Sequence, residues 1–187
     1  MTSILKVSTI QNTAGAAPTA ADLGLNVTGN VLQVVQTVFD GTFSTAIGPN
    51  FAEVTGLRCN ITPTSASNKI LVKLNLSWST TYYQFRGRLL RNGATVSGSL
   101  GAQAGIRIPV TFNYIHYGGG GNGYDMWSGG FEYLDTPSTT SSTQYSIDIG
   151  GYSTGYTVFV NRNSNYGNGA DYMGTPISTL TLMEISG

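Results

Sequence analysis

The sequence predicts an all-β protein: an antiparallel two-sheet sandwich of jelly-roll type with an extended N-terminal arm. Three observations lead there. From Val31 onward, short segments alternate apolar and polar residues with period two, as half-buried strands do. Clusters of Gly, Pro, Asn, Ser and Thr separate these segments at strand-and-turn spacing. No stretch of ten residues keeps a helical 3.6-residue period; the nearest, "TAADLGLN", is broken by Gly24 and preceded by Pro18.

Taken in order, the predicted strands are 31–39, 57–61, 69–78, 82–90, 106–115, 124–134, 144–150, 156–162 and 177–185. The clearest is 69–78, where Ile70, Val72, Leu74, Leu76 and Trp78 fall on one face while Lys73, Asn75 and Ser77 fall on the other. In "LRCNI" the alternation makes Cys59, the one cysteine, a small core side chain. In "RGRLLR" (86–91) it makes the arginines the polar side of a strand. "RNG" (91–93) reads as an Asn-Gly hairpin turn, and 62–68, 135–143 and 161–176 read as loops. A propeller or solenoid would repeat a unit, and no repeat is present. The expected organisation is residues 1–30 as arm and linker and 31–187 as the head domain.

Composition narrows the function. Charged residues make up 10 % of the chain and sum to zero, against about 25 % in an ordinary soluble domain. Nine Lys and Arg spread over 187 residues build no concentrated basic face, so nucleic acid is not an expected partner. No long apolar run marks a membrane span or cleaved leader, and a single Cys with a single His, His116, builds no Cys- or His-based metal site. No cofactor is expected. A Ser-His-Asp arrangement lacks its G-x-S-x-G elbow, and His116 continues a strand pattern. A polysaccharide hydrolase would need two carboxylates, for which Asp125, Glu132, Asp135 and Asp148 are the inventory. Asp125 and Glu132 lie on opposite faces of an unbroken strand, and only a bulge at Gly129–Gly130 would bring them to one face.

Three regions stand out as binding surfaces. Leu5, Val7 and Ile10 give the arm a strand-like edge that needs a partner sheet, on its own subunit or on another chain. "YGGGGNGYDMW" (117–127) is a glycine run followed by Tyr124 and Trp127, two flat apolar faces suited to a sugar. If connections alternate strictly between the two ends of the sandwich, loops 117–123 and 150–155 share one end, and loops 136–142 and 162–176 share the other. The glycine run would then lie beside the arm, and 162–176 would form an exposed apex with Arg162, Asn165, Tyr166, Asn168, Asp171 and Tyr172 as glycan contacts.

The strings "LKVSTIQNTAG" (5–15), "ITPTSASNKILVKLNLS" (61–77), "RLLRNG" (88–93) and "STLTLMEISG" (178–187) resemble virion proteins of tailed phages, particularly fibre and surface-decoration proteins of phages of cyanobacteria and marine bacteria. The resemblance implies a head like the tumour-necrosis-factor and complement jelly rolls, usually a homotrimer, displayed on the virion surface. Its implied partners are further copies of itself, a major capsid protein or tail component, and a host surface glycan. A capsid decoration or cement role comes first, because no fibre shaft is present, and a short fibre or fibre tip comes second.

Overall fold

The computed structural model describes residues 9–18, 22–23, 28–48, 50–81, 84–115, 123, 125–151, 154–165 and 174–187. In chain order the strands are β1 (Val31–Phe39), β2 (Phe43–Ile47), β3 (Ala52–Glu53), β4 (Cys59–Ile61), β5 (Lys69–Thr80), β6 (Gln84–Arg91), β7 (Ala94–Thr95), β8 (Phe112–Ile115), β9 (Trp127–Gly129), β10 (Glu132–Asp135), β11 (Thr143–Gly150), β12 (Tyr156–Val160) and β13 (Ser178–Ile185). Among the described residues the one helical element is a single 3-10 turn, Ser97–Ser99.

The spine is β5. Its inward residues Ile70, Val72, Leu74, Leu76 and Trp78 are all buried, as the strict alternation requires, and each aliphatic one contributes about 1.5–3 kcal/mol by leaving water. At 12 residues β5 is longer than any neighbour, so two strands in succession line each of its edges. On one edge β13 pairs with 69–75 and β12 with 78–80. On the other, β10 pairs with 70–73 and β9 with 76–78. Outside these, β1 lies on β13 and β2 on β12. The second sheet centres on the β6–β11 pair, with β3 and β4 outside β11 and with β7 and β8 outside β6. Tyr145, Ile147 and Ile149 of β11 and Phe85 and Leu89 of β6 close the core from that side.

The registers define two ends. Ile185 pairs with Lys69 and Val31 with Ile185, so β1 starts and β13 finishes at one end, here called basal. Trp78 pairs with Trp127 near the other, distal end. The basal end is sealed by Glu184, whose fully buried carboxylate accepts hydrogen bonds from Thr64 N–H (2.6 Å), Thr64 Oγ1 (2.8 Å), Asn68 Nδ2 (2.6 Å) and Gln33 Nε2 (2.6 Å). The three donors from Thr64 and Asn68 turn the loop 62–68 back over the end of β13.

Several expectations hold and several do not. Cys59 is buried in the core, and Asn92 and Gly93 take positive φ in the hairpin turn. Arg86 and Arg88 lie on the outer side of β6, with Phe85 and Leu89 inward. The strand expected over 106–115 is confined to Phe112–Ile115. Pro109 removes a ladder donor, and Gly105, at φ +58, supports a turn in which Arg107 N–H bonds Ala104 O, leaving Ile106 fully exposed. The strand expected over 124–134 is β9 followed by β10 in unbroken register, with Leu74 N–H bonded to Phe131 O between them. No bulge forms at Gly129–Gly130, so Asp125 and Glu132 are not brought to one face. Strands β2, β3 and β7 were not foreseen; two of the three are two residues long, too short for any periodicity to register.

The strict alternation of loop ends fails at one place. β12 leaves β5 at Asn161–Ser77, and β13 joins the same edge one position further on, where Ser77 N–H bonds Ser178 Oγ. The two strands run in the same direction, so the segment between them is an excursion from the middle of a sheet edge and not a reversal at an end. The final strand therefore finishes at the basal end, opposite Trp127 and not beside it, while residues 117–122 lie outside the described residues.

Candidate functional site

The distal end gathers the chemistry that the sequence analysis had divided between two ends. Gly123 O, at the foot of the glycine run, accepts hydrogen bonds from Asn165 N–H (3.1 Å) and Ser164 Oγ (3.2 Å) on the outgoing limb of the excursion. Its returning limb, Gly174–Pro176, faces Met126 and Ser128 across a shallow cleft of about 360 Å³. Gly123 and the pair Ser164–Asn165 thus meet.

The excursion is anchored by Asn161. This residue is buried at φ +59, a left-handed conformation that asparagine tolerates better than most residues. Its Nδ2 donates to Phe39 O (2.7 Å) and Gly41 O (2.9 Å), and its Oδ1 accepts from Ser178 Oγ (2.7 Å). One side chain thereby ties together the end of β12, the start of β13 and the corner between β1 and β2. Next to it, Arg162 O accepts from Ser79 Oγ (2.9 Å), and the Arg162 guanidinium lies 4.5 Å above the Phe159 ring. Of the expected apex contacts, Arg162 and Asn165 are in place as structural anchors; Tyr166, Asn168, Asp171 and Tyr172 lie outside the described residues, as do Tyr124 and His116.

Trp127 belongs to an aromatic cluster between the sheets. Its ring stacks on Trp78 (centroids 5.0 Å, 28° between planes) and lies 5.2 Å from Tyr114, which packs edge-on to Trp78 at 4.0 Å. Phe85, Phe112 and Phe131 extend the cluster. Phe112 fits because Gly87 opposite it has no side chain: a Cβ there would fall inside the Phe112 ring. These rings line a cavity of about 260 Å³ that also reaches Asn113, Ser128, Gly129 and Gly130. Burial, and then the negative charge of Asp125, push the Tyr114 phenol above its ordinary value. The sequence analysis read Trp78 as core and 106–115 only as a strand; the shared signal, aromatic residues at 78, 85, 112, 114 and 127 on inward positions, becomes a cavity only once β8 and β9 face each other.

The remaining carboxylates are engaged elsewhere. Glu132 pairs with Lys73 at 2.8 Å on the outer face, and Asp148 pairs with Arg88 at 2.5 Å. Asp135 bridges the two sheets at the basal end, accepting from Arg91 (2.7 Å) and from the buried Tyr145 hydroxyl (2.6 Å). Burial first, and then that hydrogen bond, raise the Tyr145 phenol well above its usual range and keep it a donor. Beside them lies a polar cleft of about 310 Å³ lined by Arg91, Thr95, Ser97, Tyr133 and Thr136. Among the described residues no three His, Cys, Asp or Glu converge as metal ligands.

Of the arm residues, Leu5 and Val7 lie outside the described residues, and Ile10 is 58 % exposed. The stretch 9–18 is organised by Asn12, whose Oδ1 accepts from the N–H groups of Ala14 (3.0 Å) and Ala16 (3.1 Å). Gly29 N–H bonds Ser186 O and Ser186 N–H bonds Asn30 O, both at 2.8 Å, so the chain joins the sandwich directly beside its C-terminal residues. On the outer face of the same end, Val34, Met183, Leu71 and Leu134 form a row across four strands, with Val34 and Leu134 about half exposed.

No protein-family model matches this chain, and no curated protein does. Among solved structures, the chain is similar to one described as the structure of infectious bursal disease virus, Gx strain, with a TM-score of 0.37 and 13 % identity over 85 % of this chain. The chain spans 39 % of that structure's length. At this level of similarity nothing about the present chain is taken from it.

Proposed function

We propose that the chain is a non-enzymatic structural protein of a tailed-phage virion, a homotrimeric decoration or cement protein on the capsid surface, anchored through its N-terminal arm. Beyond the sequence resemblance, the observation that carries this reading is the polarity of the molecule. Residues 29–30 and 186 are hydrogen-bonded together at the basal end, while Gly123, Ser164, Asn165 and Trp127 cluster toward the distal end. An arm leaving the base would hold the head with its loops turned outward. The arm would add Leu5, Val7 and Ile10 as a strand to a neighbouring sheet. Symmetric repetition of that contact would multiply its strength. The face we assign to copy–copy contact is the apolar row Val34, Met183, Leu71 and Leu134, because exposed apolar surface that crosses four strands is commonly covered in an assembly.

A second reading, a short fibre or fibre tip binding host glycans, is favoured by the meeting of Gly123 with Ser164 and Asn165 and by the cleft between Gly174–Pro176 and Met126 and Ser128. The number of copies per particle, measured by cryo-electron microscopy or quantitative mass spectrometry, separates the two: hundreds support the capsid, and a few dozen or fewer support the tail. Removal of residues 2–15 is expected to leave a folded trimer that no longer incorporates into particles. A shortened protein that incorporates normally would remove the anchoring role of the arm.

A further inference from the structure

Two exposed apolar features stand on opposite flanks of the sandwich. On one flank, the chain between β7 and β8 leaves the body as a loop whose residues 101–108 are all exposed. Its neck is closed by Gly101 N–H on Val110 O (3.2 Å) and rooted on β6, where Thr111 N–H bonds Gly87 O and Thr111 Oγ1 accepts from Leu89 N–H, both at 2.9 Å. Its tip has a fixed shape, because Gln103 Nε2 donates to both Gly105 O (2.7 Å) and Arg107 O (2.8 Å). That clamp holds Ile106, fully exposed, and Ile108, 44 % exposed, off the body with Arg107 between them. On the other flank, β1 is the outermost described strand of its sheet, laced to the β4 side by Thr37 Oγ1 on Arg58 O (2.8 Å). It presents Val34 and Val38, each about half exposed, and is followed by the exposed Asp40. Among the described residues neither Arg107 nor Asp40 forms an ion pair.

We propose that the 101–108 loop of one copy packs on β1 of the next, with Ile106 and Ile108 against Val34 and Val38 and with Arg107 paired to Asp40. This contact presupposes the trimer reading above and names the two surfaces that meet in it. Height is the first argument. A trimer whose bases all face one surface has its three-fold axis along the base-to-distal direction, and rotation about that axis moves no residue up or down. A contact between unlike surfaces must therefore join points at equal height. Ile70 pairs with Asp135, which bonds Arg91, and the Trp78 and Phe85 rings lie 4.3 Å apart, so the root of the loop at Gly87 and Leu89 is level with the middle of β5. Val38 pairs with Thr179, which pairs with Asn75 in that same middle. Charge is the second argument. In a chain with 10 % charged residues, a cation bracketed by exposed isoleucines meets its complement in a carboxylate two residues beyond an exposed valine. Such a pair at the rim adds little affinity, but it fixes which surface meets which. Reach is the third. β4 and the neighbours of the loop, β7 and β8, lie on opposite edges of the second sheet, so a copy cannot cover its own tip with its own β1. A neighbouring copy can, and when each copy donates one loop and receives one, the ring closes.

Variants of the full chain test this by multi-angle light scattering over a dilution series. Ile106→Asp, at a fully exposed position, is expected to keep the parent's circular dichroism and to raise the trimer–monomer midpoint about tenfold or more. Arg107→Asp is expected to raise it severalfold, and Arg107→Asp combined with Asp40→Arg to bring it back. Cross-linking reads the position. A chain carrying both Ile106→Cys and Val38→Cys is expected to give covalent dimers and trimers with a short bis-maleimide, whereas either substitution alone gives none, Cys59 being buried. The proposed contact is overturned, with the trimer reading left in place, by a trimer that Ile106→Asp does not weaken, by a charge reversal that does not rescue, by an Ile106→Cys chain that links to itself, or by a double variant that links no more than the single ones. A parent that is monomeric at every concentration removes the trimer reading and the contact together.

Discussion

Glu184 shows how one residue makes the basal end sensitive to acid. Burial alone would raise its carboxyl, but hydrogen bonds from Asn68, Gln33 and Thr64 outweigh it and hold the group below its ordinary value. A carboxyl whose folded value is depressed stabilises the protein fully above its unfolded value, about 4.3, and loses that contribution as pH falls through the folded value. Glu53, lowered chiefly by its hydrogen bond from Arg58, acts in the same direction at the surface. Glu184→Gln places an amide N–H₂ where donors already converge, and is expected to cost about 1–3 kcal/mol at neutral pH. Its stability should also fall less steeply than the parent's between about pH 5 and pH 3. Urea midpoints measured across that range check both parts; an unchanged pH slope would remove Glu184 from the acid response. The sequence showed an alternating strand with Glu at one inward position, but the four donors come from residues 33, 64 and 68, whose convergence only the fold produces.

Among the elements, β5 and the strands that share its edges decide where the loops lie. The period-two pattern of 69–78 was legible, and so was its burial. That β12 and β13 would take successive halves of one edge was not, because each also reads as a complete strand by itself. The joint depends on Asn161, which serves two carbonyls and one hydroxyl. Asn161→Gly keeps the left-handed backbone accessible and removes only the side-chain bonds. It is expected to cost about 2–3 kcal/mol, since two part-buried carbonyls lose their donor and the buried Ser178 hydroxyl loses its acceptor. Asn161→Ala adds backbone strain of about 1 kcal/mol to the same loss. Chemical denaturation of the two variants separates these contributions. Equal stability of Asn161→Gly and the parent would mean that the excursion is held by other contacts.

For the whole molecule, eight of the eighteen charged residues are engaged in four ion pairs among the described residues: Arg58–Glu53, Lys73–Glu132, Arg88–Asp148 and Arg91–Asp135. The outer sheet is left with an apolar row beside a polar one in which Gln36 bonds Thr181 and Lys73 pairs with Glu132. If copies associate through the apolar row, two charges placed on it must be desolvated on assembly, which costs several kcal/mol per site. Val34→Lys combined with Leu134→Lys is therefore expected to convert the proposed trimer to monomer in multi-angle light scattering while the circular dichroism of the fold is retained. A trimer that survives both substitutions would move the contact to another face.

The sequence by itself determined the class of fold, the burial of Cys59, the inward set of β5, the Asn-Gly turn and the outward arginines of β6. All of these follow from local rules, namely alternation, turn chemistry and the absence of a helical period. Tertiary structure alone decided that Gly123 and Asn165 meet, that Trp127 and Tyr114 form one wall of a slot, and that Asp125 and Glu132 remain apart. Those outcomes depend on which strands share an edge and in what register, and pairing between residues distant in the chain leaves no mark on the periodicity of either partner.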